Sequence, residues 1–482
     1  MINWRVIIRI LGTLLIGEGG FMLLASIISF IYKENQGFYI IVSAFITSVS
    51  GLFLYFSTRK ASYQIGKREG YIIVTLAWIV FSFFGCIPFI LTKSIPSFTD
   101  AFFETVSGFT TTGASILNNI ESLSHGILFW RSITQWLGGM GIIVMSLAIL
   151  PFLGIGGMEL FVAEVPGVTP DKLHPRITET AKRLWGIYIF YTLSETILLM
   201  FGGMSLFDAI NHSFTTMATG GYSTKQASIA YFNSPYIEYI ITIFMFLAGT
   251  NFTLSYFALK FNFKKVFSNE EFKFYLGFVL LFTLIITFGL HSSKEYPFEK
   301  SFRYGIFQVV SIITTTGYVT ADYLKWIPVL SVIIFTCMFF GGSAGSTGGG
   351  IKIVRVVLII KNSFLELKRL LHPSAVIPVR LSKKSIPPQI ISIVLAFVAF
   401  YLFTMVVSTI IMSALGLDLQ SAMGSVAASL GNIGPGIGSV GPVENFSHIP
   451  AFGKWFLSFL MVLGRLELFT ILVIFSPSFW KK

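Results

Sequence analysis

Ten long apolar runs, near 10–32, 38–57, 71–92, 127–151, 184–201, 237–259, 274–290, 327–360, 389–415 and 452–475, decide what this chain can fold into. A helix needs about 20 apolar residues to cross the hydrocarbon core of a bilayer. A water-soluble globule of this size needs more polar surface than such a chain can offer. Of the 482 residues, 54% are hydrophobic and only 12% are Asp, Glu, Lys or Arg, about half the charged share of a soluble protein. The first run is too long for the core of a signal peptide, and no small-residue cleavage site follows it, so it is expected as a retained transmembrane helix. Cys86 and Cys337 both lie in apolar runs, which argues against a disulfide framework and against a Cys-rich metal site.

The formal net charge of +12 does not point to nucleic acid, because the basic residues sit in short loops between apolar runs. They are topology signals. Alternate loops and the chain ends beside them carry 24 Lys and Arg on one side and 9 on the other, with Arg465, deep in the last run, counted on neither. The richer side is cytoplasmic by the positive-inside rule. Both termini are therefore expected in the cytoplasm of a multi-pass protein of the plasma (cell inner) membrane.

Four shorter apolar pieces, near 98–112, 206–219, 302–316 and 419–433, fall on the opposite side and are too short to cross. Each ends in a Thr- or Gly-rich turn: Thr110-Thr111-Thr112-Gly113-Ala114, Met217-Ala218-Thr219-Gly220-Gly221, Thr314-Thr315-Thr316-Gly317-Tyr318 and Gly431-Asn432-Ile433-Gly434-Pro435. Anchoring on Gly113, Gly220, Gly317 and Gly434 gives separations of 107, 97 and 117 residues. The second turn fits Gly221 equally well, counting from Asp208 as the first is counted from Asp100. A module of helix, half-helix, turn and helix, repeated four times, is the expected all-α fold. The divisions are an extra transmembrane helix pair over 1–69, then pore repeats over 70–175, 176–265, 266–385 and 386–482.

Such turns suit a cation. Backbone carbonyls can replace an ion's water shell without placing formal charge in the membrane. Glycine supplies the backbone conformations that aim them at a common axis, and neighbouring threonines add hydroxyl oxygens. Irregular backbone at membrane depth is tolerated only where it lines a cavity or is buried in protein. A half-helix whose C-terminal end faces the centre adds a partial negative charge there.

Two further features interrupt apolar runs. Residues 341–350 contain six glycines, two serines, one alanine and one threonine, enough to unwind a helix. Arg465 sits near the middle of the last run, where a central arginine costs about 2.5–3.5 kcal/mol on insertion scales. Beneath a cation site it would act as an electrostatic barrier or latch. Its structural alternative is an ion pair with Glu195 or Glu467. Glu18, in the first run, suggests no role.

Several enzyme-like patterns fail on context. Gly341-Gly342-Ser343-Ala344-Gly345 fits a serine nucleophile elbow but lacks a preceding strand and a histidine partner. The glycine run lacks the Lys of a Walker loop, and Gly436-Ile437-Gly438-Ser439-Val440-Gly441 lacks the strand–turn–helix setting of a dinucleotide site. An enzyme is not expected.

The four turns, the 341–350 run and Gly464-Arg465-Leu466-Glu467 together resemble the TrkH/KtrB/HKT superfamily of K⁺ transporters, over essentially the whole chain. The extra N-terminal pair and the length are more similar to its TrkH branch. The resemblance implies a K⁺ filter lined by Thr111, Thr112, Gly113, Thr219, Gly220, Thr315, Thr316, Gly317, Asn432, Ile433 and Gly434, with Ile433 where the other turns carry Thr. It implies an intramembrane gate containing Gly341, Gly342, Ser343, Gly345, Gly348, Gly349 and Gly350, with Arg465 below the filter. K⁺ is then the transported ion, and no cofactor is bound covalently. A homodimer, surrounding membrane lipid and a TrkA-type cytoplasmic nucleotide-binding ring are the implied partners. The function implied is channel-like K⁺ uptake, with Na⁺- or H⁺-coupled K⁺ symport as the alternative.

Overall fold

The computed structural model describes residues 2–59, 66–148, 173–294 and 296–481, with backbone alone over 142–148 and 173–178. The end of the run expected over 127–151, part of the basic loop at 59–69 and most of the loop at 152–183 lie outside the described residues.

Among the described residues the regular structure is helical apart from one hairpin of two-residue strands, Arg380–Leu381 against Lys384–Ser385, in which Arg380 pairs with Ser385. Among the described residues, six helices are long and apolar enough to cross a membrane: Trp4–Ile31, Gln36–Ser57, Lys67–Leu91, Glu179–Phe201, Glu270–Ser292 and Pro388–Ala414. Two further bent pairs, Pro235–Ala248 with Phe252–Leu259 and Ala451–Arg465 with Phe469–Phe475, turn through 113°. Large apolar side chains such as Phe53, Phe201 and Phe403 face outward, while Thr, Ser, Asn and Gln are buried in the centre. That inversion of the soluble pattern is what a hydrocarbon surround selects, because hydrocarbon leaves no penalty on exposed apolar surface and forces polar groups to find partners inside.

After the first two helices, one order of elements recurs four times. A long helix leads into a short one, Phe98–Phe109, Leu206–Met217, Phe298–Ile313 or Leu419–Leu430, and a turn then leads into a second long or broken helix. The short helices have clear starts. Ser97 accepts from Asp100 N, Ser205 from Asp208 N and Asp418 from Ser421 N, each satisfying a backbone donor that the first helical turn leaves free.

The broken helices correct three expectations. The run at 327–360 is not one span: Pro328–Cys337 is followed by irregular chain to Lys352 and then by the amphipathic Ile353–Leu371. The run at 237–259 is broken after Ala248, and the chain resumes at a sharp angle as Phe252–Leu259. The run at 452–475 bends where Glu467 and Leu468 take φ values of 55° and 50°, so Arg465 ends a helix at the bend instead of lying within a straight one.

The N-terminal pair, Trp4–Ile31 and Gln36–Ser57, packs tightly on itself. Gly12 and Gly51 face each other so closely that a methyl on either would strike the other's carbonyl oxygen, the close approach small residues allow between membrane helices. Glu34, between the two helices, fixes the pair to the start of His125–Ala148. It accepts from His125 N at 2.7 Å and Gly126 N at 3.2 Å and lies 2.8 Å from the His125 ring nitrogen.

Candidate functional site: four buried turns and the loop beneath them

The four turns share one backbone. In each, a residue at φ near +55° is followed by an ordinary residue and then by a glycine at positive φ. The first positions are Thr111 (53°), Thr219 (53°), Thr315 (60°) and Asn432 (53°), and the glycines are Gly113 (82°), Gly221 (76°), Gly317 (79°) and Gly434 (100°). Threonine is rarely held in that region, since its branched Cβ crowds the backbone, so three such residues at matched places mark an imposed geometry. The pattern fixes the second register. Gly221 is the counterpart of Gly113, and Gly220 stands where the first, third and fourth turns carry Thr112, Thr316 and Ile433. The departures in sequence are thus Gly220 and Ile433 at the middle position and Asn432 at the first.

The turns form a closed ring. A methyl added to Gly113 would collide with the carbonyl oxygen of Gly220, one on Gly221 with that of Thr316, one on Gly317 with that of Ile433, and one on Gly434 with that of Thr112. Each glycine therefore lies against the middle residue of the next turn, and the fourth turn closes on the first. Within the turns the N–H groups fold back on their own helices: Thr111 N to Gly108 O, Thr219 N to Thr216 O, Thr315 N to Ile312 O and Asn432 N to Ser429 O. Each of these donors is thereby satisfied by its own half-helix. Thr111 Oγ1 and Asn432 Oδ1 are buried without a hydrogen-bond partner among the described residues, a costly state for an acceptor unless something else fills it.

The second turn is braced differently. Gln135, from His125–Ala148, donates to Gly220 O at 2.7 Å and accepts from Tyr222 N at 3.0 Å. Its amide occupies the space a side chain at 220 would need.

The glycine run at 341–350 lies directly against this ring. Gly349 N donates to Thr315 Oγ1 at 2.7 Å. Methyls on Gly348 and Gly349 would press on the carbonyl oxygens of Thr314 and Gly431. The run is tied down on all sides. Gly341 N donates to Ile351 O, Ser343 N to Gly249 O and Ala344 N to Glu271 Oε1, while Gly345 O accepts from Phe252 N. Thr347 Oγ1 reaches Met217 O at 3.1 Å and Lys352 Nζ donates to Gly348 O.

Arg465 is buried beside the run. It donates from Nη1 to Thr347 O at 2.8 Å and from Nη2 to Gly138 O at 3.3 Å. Neither carboxylate considered from sequence pairs with it. Glu467 is held by Arg355, because the bend after Arg465 turns it toward Ile353–Leu371. Glu195 has no hydrogen-bond partner among the described residues.

The described residues hold no cluster of three or more His, Cys, Asp or Glu able to grip a metal ion. The oxygens at the ring are neutral, a set suited to a weakly hydrated monovalent cation and not to tight retention of a divalent one.

Apolar spans, bent helix pairs and a buried ring of polar turns define a multi-pass helical membrane protein. Residues 36–482 match the TrkH family of cation transport proteins, and the chain belongs to that family. Its members are transport proteins, not enzymes. The chain is 43% identical to the Trk system potassium uptake protein TrkH of Escherichia coli K12, with all of both chains covered. It is 33% identical to TrkG of the same organism over 95% of each. Among solved structures, it superimposes on the potassium transporter TrkH from Vibrio parahaemolyticus with a TM-score of 0.92 at 37% identity, again over the full length of both.

Proposed function

We propose that the protein takes up K⁺ through a channel-like pore whose filter is the ring of four turns. The cyclic closure of the turns, with oxygen-bearing residues at every first position, carries this reading. Thr111, Thr112 and Gly113 line it with Thr219, Gly220 and Gly221, with Thr315, Thr316 and Gly317, and with Asn432, Ile433 and Gly434. The four half-helices end at the ring and add the partial negative charge of their C-termini. The relatives named as potassium uptake proteins favour K⁺ as the ion.

The 341–350 run is the gate. It takes up one ring hydroxyl, that of Thr315, and fills the space beneath the third and fourth turns. Arg465 latches it through Thr347 O. The four pore repeats occupy 70–175, 176–265, 266–385 and 386–482, and 1–69 is the additional pair. Both termini face the cytoplasm of the inner membrane. As part of a Trk system, the protein works as a homodimer with a TrkA-type nucleotide-binding ring docked on the basic cytoplasmic face.

Coupled symport is the second reading. It is favoured by Glu18 and Glu195, both buried within spans and without hydrogen-bond partners among the described residues. Such groups mark ion or proton pathways in transporters. Reversal potentials of the reconstituted protein test both. A potential that follows the K⁺ gradient alone, with Na⁺ the poorer ion, is expected. One that moves with an imposed H⁺ or Na⁺ gradient favours symport, and strong preference for Na⁺ over K⁺ refutes the uptake reading.

A further inference from the structure

With Gly221 as the second anchor, the residues nine places ahead of the four turn glycines are Glu104, His212, Gln308 and Ser425. They share no chemistry, yet the first three do the same thing. Each reaches from its half-helix to the chain two or three residues past its own turn glycine. Glu104 accepts from Ser115 Oγ and from Ile116 N, both at 3.0 Å. His212 Nε2 lies 2.9 Å from Ser223 Oγ. Gln308 Nε2 donates to Thr320 Oγ1 at 3.2 Å. All three are buried.

The bonding is specific in each case. His212 Nδ1 faces the Asp208 carbonyl at 2.7 Å, so that nitrogen carries the proton and Nε2 accepts from Ser223. The charge on Glu104 is matched by Arg131, whose Nε donates to it at 2.7 Å. Arg131 also donates to Ser223 O at 3.0 Å, so the first strut is linked to the second turn.

The fourth unit is built otherwise. Ser425 is short and turns back to Ala422 O. The chain past Gly434 instead rests on the helix backbone: a methyl on Gly424 would meet Ile437, and one on Gly436 would meet Gly424 O at 2.6 Å.

We propose that Glu104, His212 and Gln308 are positioning residues for ion selection: struts that hold three of the four turns from behind at the width that favours K⁺. This inference rests on the filter reading above. A turn oxygen can discriminate between ions of different radius only if it cannot follow the smaller one inward. In each braced unit the strut supplies that resistance, because it ties the chain leaving the turn to the rigid half-helix entering it. The fourth unit resists through glycine-on-glycine backbone contact.

The test is the K⁺:Na⁺ permeability ratio of the full-length protein in lipid bilayers, read from reversal potentials. Gln308→Leu and Thr320→Val sever the same bond from its two ends. Each should lower the ratio about three- to tenfold, the worth of one buried hydrogen bond, and the double variant should fall no further than the worse single. His212→Leu should lower it too, while His212→Gln, which can accept from Ser223, should keep it. Lower abundance scales the total current and leaves the ratio unmoved, so a purely structural role would not produce the fall. Ratios at the parental value in both Gln308→Leu and Thr320→Val overturn the strut, provided Gly317→Ala still disturbs selection. A parent protein whose reversal potential ignores K⁺ would instead overturn the filter reading itself.

Discussion

Arg465 donates to the carbonyl oxygen of Thr347 at 2.8 Å, joining the end of the Ala451–Arg465 helix to the middle of the glycine run. No carboxylate lies within ion-pair distance of it among the described residues. A buried guanidinium whose hydrogen bonds go to carbonyl oxygens repels a passing cation as well as holding the loop. Arg465→Ala is therefore expected to raise K⁺ flux at near-normal membrane abundance, since no acid is left stranded by its loss. Isotope uptake normalised to protein level checks this. Normal abundance with unchanged or lower flux would remove Arg465 from the gate.

The neighbouring pair behaves differently. Arg355 holds Glu467 and lies 4.0 Å from the Phe397 ring centroid. Arg355→Ala strands a mostly buried carboxylate, which costs about 3–5 kcal/mol when one partner of a buried pair is removed. Membrane abundance and thermal stability should fall. Adding Glu467→Gln should restore much of the loss, because the remaining group is then neutral. Equal stability of the single and double variants would argue that the pair contributes nothing.

Shortening the 341–350 run is expected to raise K⁺ flux and weaken regulation. The run is held by separate hydrogen bonds, among them those to Gly249 O and Thr315, each worth about 0.5–1.5 kcal/mol net, and that to the Glu271 carboxylate, worth about 1.5–3 kcal/mol. Such a segment can leave its seat when a few of these contacts are exchanged. Flux equal to that of the parent at equal abundance would leave it a packing role only.

How much of this could be read from sequence differs by feature. The apolar runs and the four turns were plain, because membrane thickness dictates run length and because only glycine adopts the ring's backbone cheaply. The glycine run and Arg465 stood out as interruptions of apolar chain. The partner of Arg465 was not legible: Glu467 is two residues away, and only the left-handed residues at the bend carry it off to Arg355. Glu104, His212 and Gln308 were missed for another reason. They serve one geometric purpose with three chemistries, so no repeated residue type betrays them. The available signal was the shared Asp-Ala start, Asp100-Ala101 and Asp208-Ala209, from which Glu104 and His212 lie at equal distances.

The second turn gives a direct test of register. Gly221 has φ of 76° and sits against Thr316 O. A side chain there meets both backbone strain and a backbone atom that cannot yield. Gly221→Ala should abolish K⁺ transport, and no change at Gln135 should recover it. At Gly220 the φ is ordinary, and the obstacle is the Gln135 amide, which is itself bonded to Gly220 O and Tyr222 N. Gly220→Ala alone should therefore impair transport by displacing that amide. Combined with Gln135→Ala it should regain part of the lost flux, because the methyl then enters space the amide has vacated. Uptake by the four variants at matched abundance separates the two registers. Rescue of Gly221→Ala by Gln135→Ala, with none for Gly220→Ala, would place the anchor at Gly220 and break the correspondence on which the ring is drawn.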